Sequence, residues 1–138
     1  MNHINVDLTK ENNIYSRVIG GQGEQKNTML VIKVPEEYYD WACYFDFENS
    51  AGEKYRRISD NFVDGIGTYE FTAYDTRFRG NFLIDLVLIK DDKVAKPFSD
   101  TFVIKTKICA DSTENYTPII LEPDAALDND DIDKLLSS

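Results

Sequence analysis

Hydrophobic and polar positions alternate most clearly in GNFLIDLVLIKDDKVAKPFSDTFVIKTK, from Gly80 to Lys107. In its first arm Phe82, Ile84, Leu86 and Leu88 share one face, while Leu83, Asp85, Val87 and Ile89 share the other. One face is wholly apolar and the other mixed, which predicts a strand near the middle of a sheet. In the second arm Phe102, Ile104 and Ile108 oppose Thr101, Lys105 and Lys107, the pattern of a half-exposed strand. The polar KDDK between them, Lys90 to Lys93, supplies the turn of a long β-hairpin.

The upstream chain breaks into strands of similar length. HINVDLT, residues 3–9, alternates Ile4, Val6 and Leu8 against His3, Asn5 and Asp7. IYSRVI, Ile14 to Ile19, reads as a second edge segment ended by GGQG. NTMLVIKV, Asn27 to Val34, is rich in β-branched residues and is stopped by Pro35. In WACYFDFE, Trp41, Cys43, Phe45 and Phe47 fall on one face, so Trp41 is expected as a core plug. NSAGE, with Gly52 suited to positive φ, closes a hairpin onto KYRRIS. DNFVDG reads as a loop, and IGTYEFTAY follows with Tyr69, Phe71 and Ala73 on one side. No segment before residue 110 has helical periodicity. The chain is therefore expected to be all-β, an immunoglobulin-like antiparallel β-sandwich of about seven to eight strands.

Two regions follow from the same pattern, a β-sandwich domain over residues 1–109 and an acidic C-terminal tail or docking arm over 110–138. In the tail, Pro118 and Pro123 bracket an apolar Ile119, Ile120 and Leu121, and a short turn carries Ile132, Leu135 and Leu136. These six are the expected protein-interaction residues. An extended segment between prolines suits strand addition at a sheet edge.

Composition sharpens this picture. Hydrophobic residues make up 42% of the 138, including eight Phe and eight Tyr, enough for a core without staples. The net charge of −10 is uneven: residues after Cys109 carry eight acids and one base, leaving seventeen acids and fourteen bases for residues 1–109. Nucleic acid is excluded as an expected partner, because phosphate binding needs a basic face. No apolar run approaches the ~18 residues of a membrane span and the N-terminus has no signal-peptide pattern, so membrane insertion is not expected and synthesis is assigned to a host cytoplasm. That compartment favours free thiols at Cys43 and Cys109 over a bridge.

Candidate chemistry is thin. His3 is the one histidine, and it gives a triad or a histidine metal site little to work with. GGQGEQ, Gly20 to Gln25, lacks the Gly-Lys-Ser/Thr ending of a phosphate cradle and reads as a flexible turn. DNDDID, Asp128 to Asp133, lacks the central Gly and distant Glu of a calcium loop. Asp85 interrupts an apolar strand and is expected beside Arg56 or Lys105. No catalytic residue, cofactor or metal is therefore assigned, and the chain is not expected to be an enzyme. Tyr38, Tyr39, Trp41, Tyr44 and Tyr55 gather near the second hairpin, which keeps a carbohydrate-binding module for cell-surface glycan as the alternative.

The order of pieces is similar to a known family. INVDLTKENN, then QGEQKNTMLVIKV, the turn NSAGEKY, GTYEFT, GNFLIDLVLIKDDK and SDTFVIKTK resemble the N-terminal domain of phage baseplate upper proteins, over roughly residues 4–108. The resemblance implies an immunoglobulin-like structural protein of tailed phages or prophages of Gram-positive bacteria. Its role would be non-catalytic protein–protein attachment to other tail or baseplate proteins, with homo-oligomers possible and a virion tail location. Members of that family continue into a fibre or coiled coil, whereas this sequence continues into a short acidic tail.

Overall fold

In the computed structural model, residues 1–106 are described. They form nine strands: β1 (Asn2–Asp7), β2 (Val18–Gly21), β3 (Thr28–Lys33), β4 (Ala42–Glu48), β5 (Lys54–Ile58), β6 (Asn61–Val63), β7 (Ile66–Glu70), β8 (Gly80–Lys90) and β9 (Lys93–Lys105). A four-stranded sheet runs β1-β3-β7-β6, and a five-stranded sheet runs β2-β9-β8-β4-β5.

The apolar faces of both sheets share one core. Ile4, Leu30, Ile32 and Tyr69 come from the four-stranded sheet, and Phe45, Phe47, Phe82, Ile84 and Phe102 from the other. Phe47 touches Tyr69 across the layers at a ring separation of 5.2 Å, and Phe71 at 6.1 Å. Burial of such rings is the main favourable contribution to folding, about 1.5–3 kcal/mol for each fully buried side chain.

The long hairpin is present as its alternation predicts. β8 and β9 pair from Gly80↔Ile104 to Lys90↔Lys93 around a turn in which Asp91 has φ 55°. The register shifts between Leu86 and Leu88, where Leu86 faces Phe98 and Leu88 faces Ala95. That bulge accommodates Pro97, which has no N–H to give a regular ladder.

Three expectations change. The sheets are mixed rather than antiparallel, because β1 pairs parallel with β3 and β2 parallel with β9. The chain leaves the four-stranded sheet after β1, contributes β2 to the other sheet, and returns to lay β3 alongside β1 in the same direction. DNFVDG is not a plain loop: Asn61–Val63 is β6, joined to β7 by Asp64 (φ 53°) and Gly65 (φ 77°). An Asp-Gly pair with both residues at positive φ matches the right-handed twist of a two-residue hairpin. Trp41 is half-buried and lies before β4 rather than in it. A 3₁₀ turn at Glu36–Tyr38 sets it edge-on against Tyr38, with ring centroids 5.1 Å apart, at the margin of the core.

Cys43 is buried, as its phase predicts, and carries a free thiol. Cys109, the boundary at residue 109/110 and the six apolar tail residues lie outside the described residues. Gly67 on β7 faces Cys43 across the core, and a Cβ there would lie 2.9 Å from Sγ. Gly67→Ala is therefore expected to cost about 1–3 kcal/mol by overpacking, measured by urea unfolding. Adding Cys43→Ala should recover part of that loss. Strictly additive losses in the double-mutant cycle would show that the two positions do not meet.

Candidate protein-interaction surface

Register assigns the residues on the outer face of the five-stranded sheet. Arg56, Asp46, Asp85 and Ser99 form one row across β5, β4, β8 and β9. Arg56 grips Asp46 with Nε at 2.6 Å and Nη2 at 3.0 Å, holding that carboxyl below its ordinary range. Arg56 is thus committed to Asp46, and Asp85 instead accepts a hydrogen bond from the Ser99 hydroxyl at 2.5 Å. Lys105 lies beyond Ile104, which pairs with Gly80 at the other end of β8. Asp85 is therefore a sheet-face residue tied to its strand neighbour. The next row is apolar: Ile58, 68% exposed, sits beside Tyr44, and Tyr44 beside Val87.

The most connected polar group is Asp75, 1% exposed, in the loop between β7 and β8. Its side-chain oxygens accept from the hydroxyls of Tyr55 on β5 and of Tyr69 on β7, the latter at 2.7 Å. They also accept from the Thr72 N–H at 2.8 Å and hydroxyl at 3.1 Å. One carboxyl therefore ties both sheets to one loop. The next residue, Thr76, donates its hydroxyl to the Glu24 carbonyl at 2.7 Å, and its own carbonyl accepts from Gly23 N–H at 2.8 Å. GGQGEQ is accordingly a structural turn clasped by this loop. Any Cβ at Gly20 would meet the Glu24 carboxylate at 2.5 Å.

A second clasp fixes the segment before β2. Tyr15 and Arg17 both donate to Asp100 on β9, Arg17 Nε at 2.7 Å, and the Tyr15 ring stacks on Phe102 at 6.0 Å. Ile14, expected in the strand, is fully exposed, and pairing begins only at Val18.

The tyrosines expected to cluster point in different directions. Tyr55 faces inward to Asp75, Tyr44 lies on the outer sheet face, and Tyr38 packs on Trp41. A separate group was not foreseen. Tyr74 and Phe78 are exposed on the loop after β7, with the Arg77 guanidinium 3.7 Å from the Tyr74 ring centre and 4.8 Å from that of Phe78. Arg57 lies 5.4 Å from the Tyr74 centre and 5.2 Å from that of Tyr55. Guanidinium groups thus occupy the ring of Tyr74 that a sugar would need for stacking. The signal for the loop was present in Thr72-x-x-Asp75, a spacing at which side chains satisfy local backbone donors. His3 is exposed at the start of β1. Among the described residues no group of three or more His, Cys, Asp or Glu is placed to hold a metal ion.

No family model matches this sequence, and no curated protein matches it. Among solved structures, the N-terminal domain of phage TP901-1 ORF48 is similar over 78% of this chain and 98% of that chain, with 15% identity and a TM-score of 0.48.

The clasps make two measurements informative. Asp75→Ala leaves two tyrosine hydroxyls and the Thr72 N–H without their acceptor. It is expected to cost about 3 kcal/mol or more by denaturant unfolding. A loss under about 1 kcal/mol would mean that water replaces the carboxyl at no cost. The second measurement is alkaline stability. Burial pushes the Cys43 thiol up to about 11, and burial together with the bond to Asp100 pushes Tyr15 up to about 12. Burial first, and then the bond to Asp75, raise Tyr55 and Tyr69 as well. In each case the folded protein keeps a proton that the unfolded chain has already released, so stability is whole below about pH 9 and falls as pH rises through the folded values. Melting temperature should decline from pH 9 to 11, and Tyr55→Phe with Tyr69→Phe should flatten the decline. A flat wild-type profile would contradict the assignment.

Proposed function

We propose that this protein is a non-catalytic, immunoglobulin-like structural module that attaches to other proteins in the tail or baseplate of a phage or prophage. The observation that carries the reading is where its polar chemistry is placed. Asp46, Asp75 and Asp100 are each committed to side chains that hold segments of the fold together. Outward, the described five-stranded sheet offers open edge and exposed apolar side chains, Ile58, Leu83, Val94 and Val103 among them. Such surfaces suit protein contacts. The sequence resemblance of residues 4–108 to phage baseplate upper proteins supplies the assignment to tails.

In this reading the tail residues Ile119, Ile120, Leu121, Ile132, Leu135 and Leu136 contact partner proteins, and the partners are other tail proteins or further copies of the chain. The protein should co-purify with tailed particles from the strain that encodes it, and antibody should label the distal end of the tail. Deleting residues 116–138 should remove it from particles, and a truncated protein still found in them would count against the role of the tail residues. Absence of the intact protein from purified particles would overturn the tail assignment.

A further inference from the structure

We infer that the open edge of β5 is a docking strand for an acidic, extended segment of a partner protein, which adds alongside it as a sixth strand of the five-stranded sheet. The inference names the chemistry of a partner for the module proposed above, and it rests on that reading only in taking the partner to be a protein.

Asn49 N–H donates to the Glu53 carbonyl and Ser59 N–H to the Cys43 carbonyl, at either end of the β4–β5 ladder. In an antiparallel pair, hydrogen-bonded and non-bonded residue pairs alternate. With Tyr44↔Ile58 and Phe45↔Arg57 in register, Tyr55 and Arg57 bond inward to β4. The N–H and C=O groups of Lys54, Arg56 and Ile58 therefore point away from the sheet, and β5 is its last strand.

The other edges are interrupted. At the end of β1 the Asn13 side chain takes both the Asp7 N–H, at 2.7 Å, and the Asp7 carbonyl, at 2.9 Å. β2 has a register shift between Val18 and Gly20, and the Ser16 hydroxyl takes the Val18 N–H. The part of β9 that β2 leaves uncovered is broken by Pro97, by the register shift opposite Leu86–Leu88, and by the Asp100 side chain, which takes the Thr101 N–H. β6 is three residues long. β5 is five residues, regular and free of these devices.

Charge selects the occupant. The strand reads Lys54-Tyr55-Arg56-Arg57-Ile58, and Arg77 and Arg79 stand on the neighbouring loop of a protein whose net charge is −10. Arg56 is paired with Asp46 and Arg77 with Glu53, so Lys54, Arg57 and Arg79 are the cations here without an ion pair among the described residues. The Arg57 Nε is buried without a hydrogen-bond partner between Tyr55 and Tyr74. Basic residues on an edge also deter self-pairing. Here the same charges that repel a second β5 attract an acidic strand, so the edge discriminates among partners. Tyr74, Arg77 and Phe78 form an aromatic and cationic shelf beside it, the residue types enriched at binding hot spots.

The test uses the full chain and a fluorescent peptide alternating glutamate with valine, read by anisotropy, with amide hydrogen exchange alongside. The peptide should bind and should slow exchange at the Arg56 and Ile58 amides. Ile58→Pro removes one outward N–H without touching the inward ladder and should weaken binding about tenfold, while Ile58→Ala keeps the N–H and should bind within about twofold of wild type. Binding unaffected by Ile58→Pro, or unaccompanied by protection at Arg56, would reduce the surface to a charge patch and overturn the inference. So would absence of binding. Protection of those amides before peptide is added would give the edge to this chain's own sequence, or to a second copy if the protection grows with protein concentration, and would equally overturn it. Presence in or absence from tail particles is read separately, so the two readings can fail independently.

Discussion

The fold depends on a buried carboxyl. A carboxyl group left in a core without donors is among the most costly arrangements a protein can adopt, so Asp75 persists only because its donors converge on it. They come from β5 in one sheet, from β7 in the other, and from the start of its own loop. Hydrophobic packing is non-directional and would tolerate a range of offsets between the layers. Two tyrosine hydroxyls that must reach the same carboxyl fix one such offset. The same loop then extends its grip to the Gly20–Gln25 turn through Thr76, so a single loop sets the positions of both sheets and of the approach to β3.

The parallel edge strands follow from a related constraint. A chain that alternates between two layers can return to a sheet running in its former direction, which a string of hairpins cannot. β1 and β3 are related in this way, with β2 spent on the opposite sheet between them. Short parallel edges gain little from pairing alone. Each is accordingly held by side chains as well, β1 by Asn13 and the approach to β2 by Tyr15 and Arg17 on Asp100.

This division explains what could be read from the sequence. Period-two alternation reports burial on one face, so β3, β4, β8 and the inward set Phe45, Phe47, Phe82 and Ile84 were legible directly. Alternation says nothing about which strand lies beside which, and the parallel pairings were therefore hidden. β6 was hidden for a different reason: three residues are too few to show a period, and only Asp64-Gly65 marks the hairpin. Trp41 was in phase with Cys43 and Phe45, but the 3₁₀ turn before β4 breaks the phase at Ala42. The Asp75 clasp was least legible of all. Its partners Tyr55 and Tyr69 lie 20 and 6 residues away, and a polar residue in a loop carries no sequence mark of burial.

The same physics that hides a buried polar group makes an exposed one informative. Inside the described fold, Arg57 Nε is the one buried side-chain nitrogen or oxygen without a hydrogen-bond partner. It stands on β5, whose outward backbone groups also face solvent, and over the Tyr74 ring that the Arg77 guanidinium shares. An unpaired strand edge, an unanswered guanidinium nitrogen and an exposed aromatic shelf would each be ordinary alone. Placed on one strand and its neighbouring loop, they leave outward backbone groups and the cations Lys54 and Arg57 unanswered together, and the acidic strand inferred above would supply partners for both.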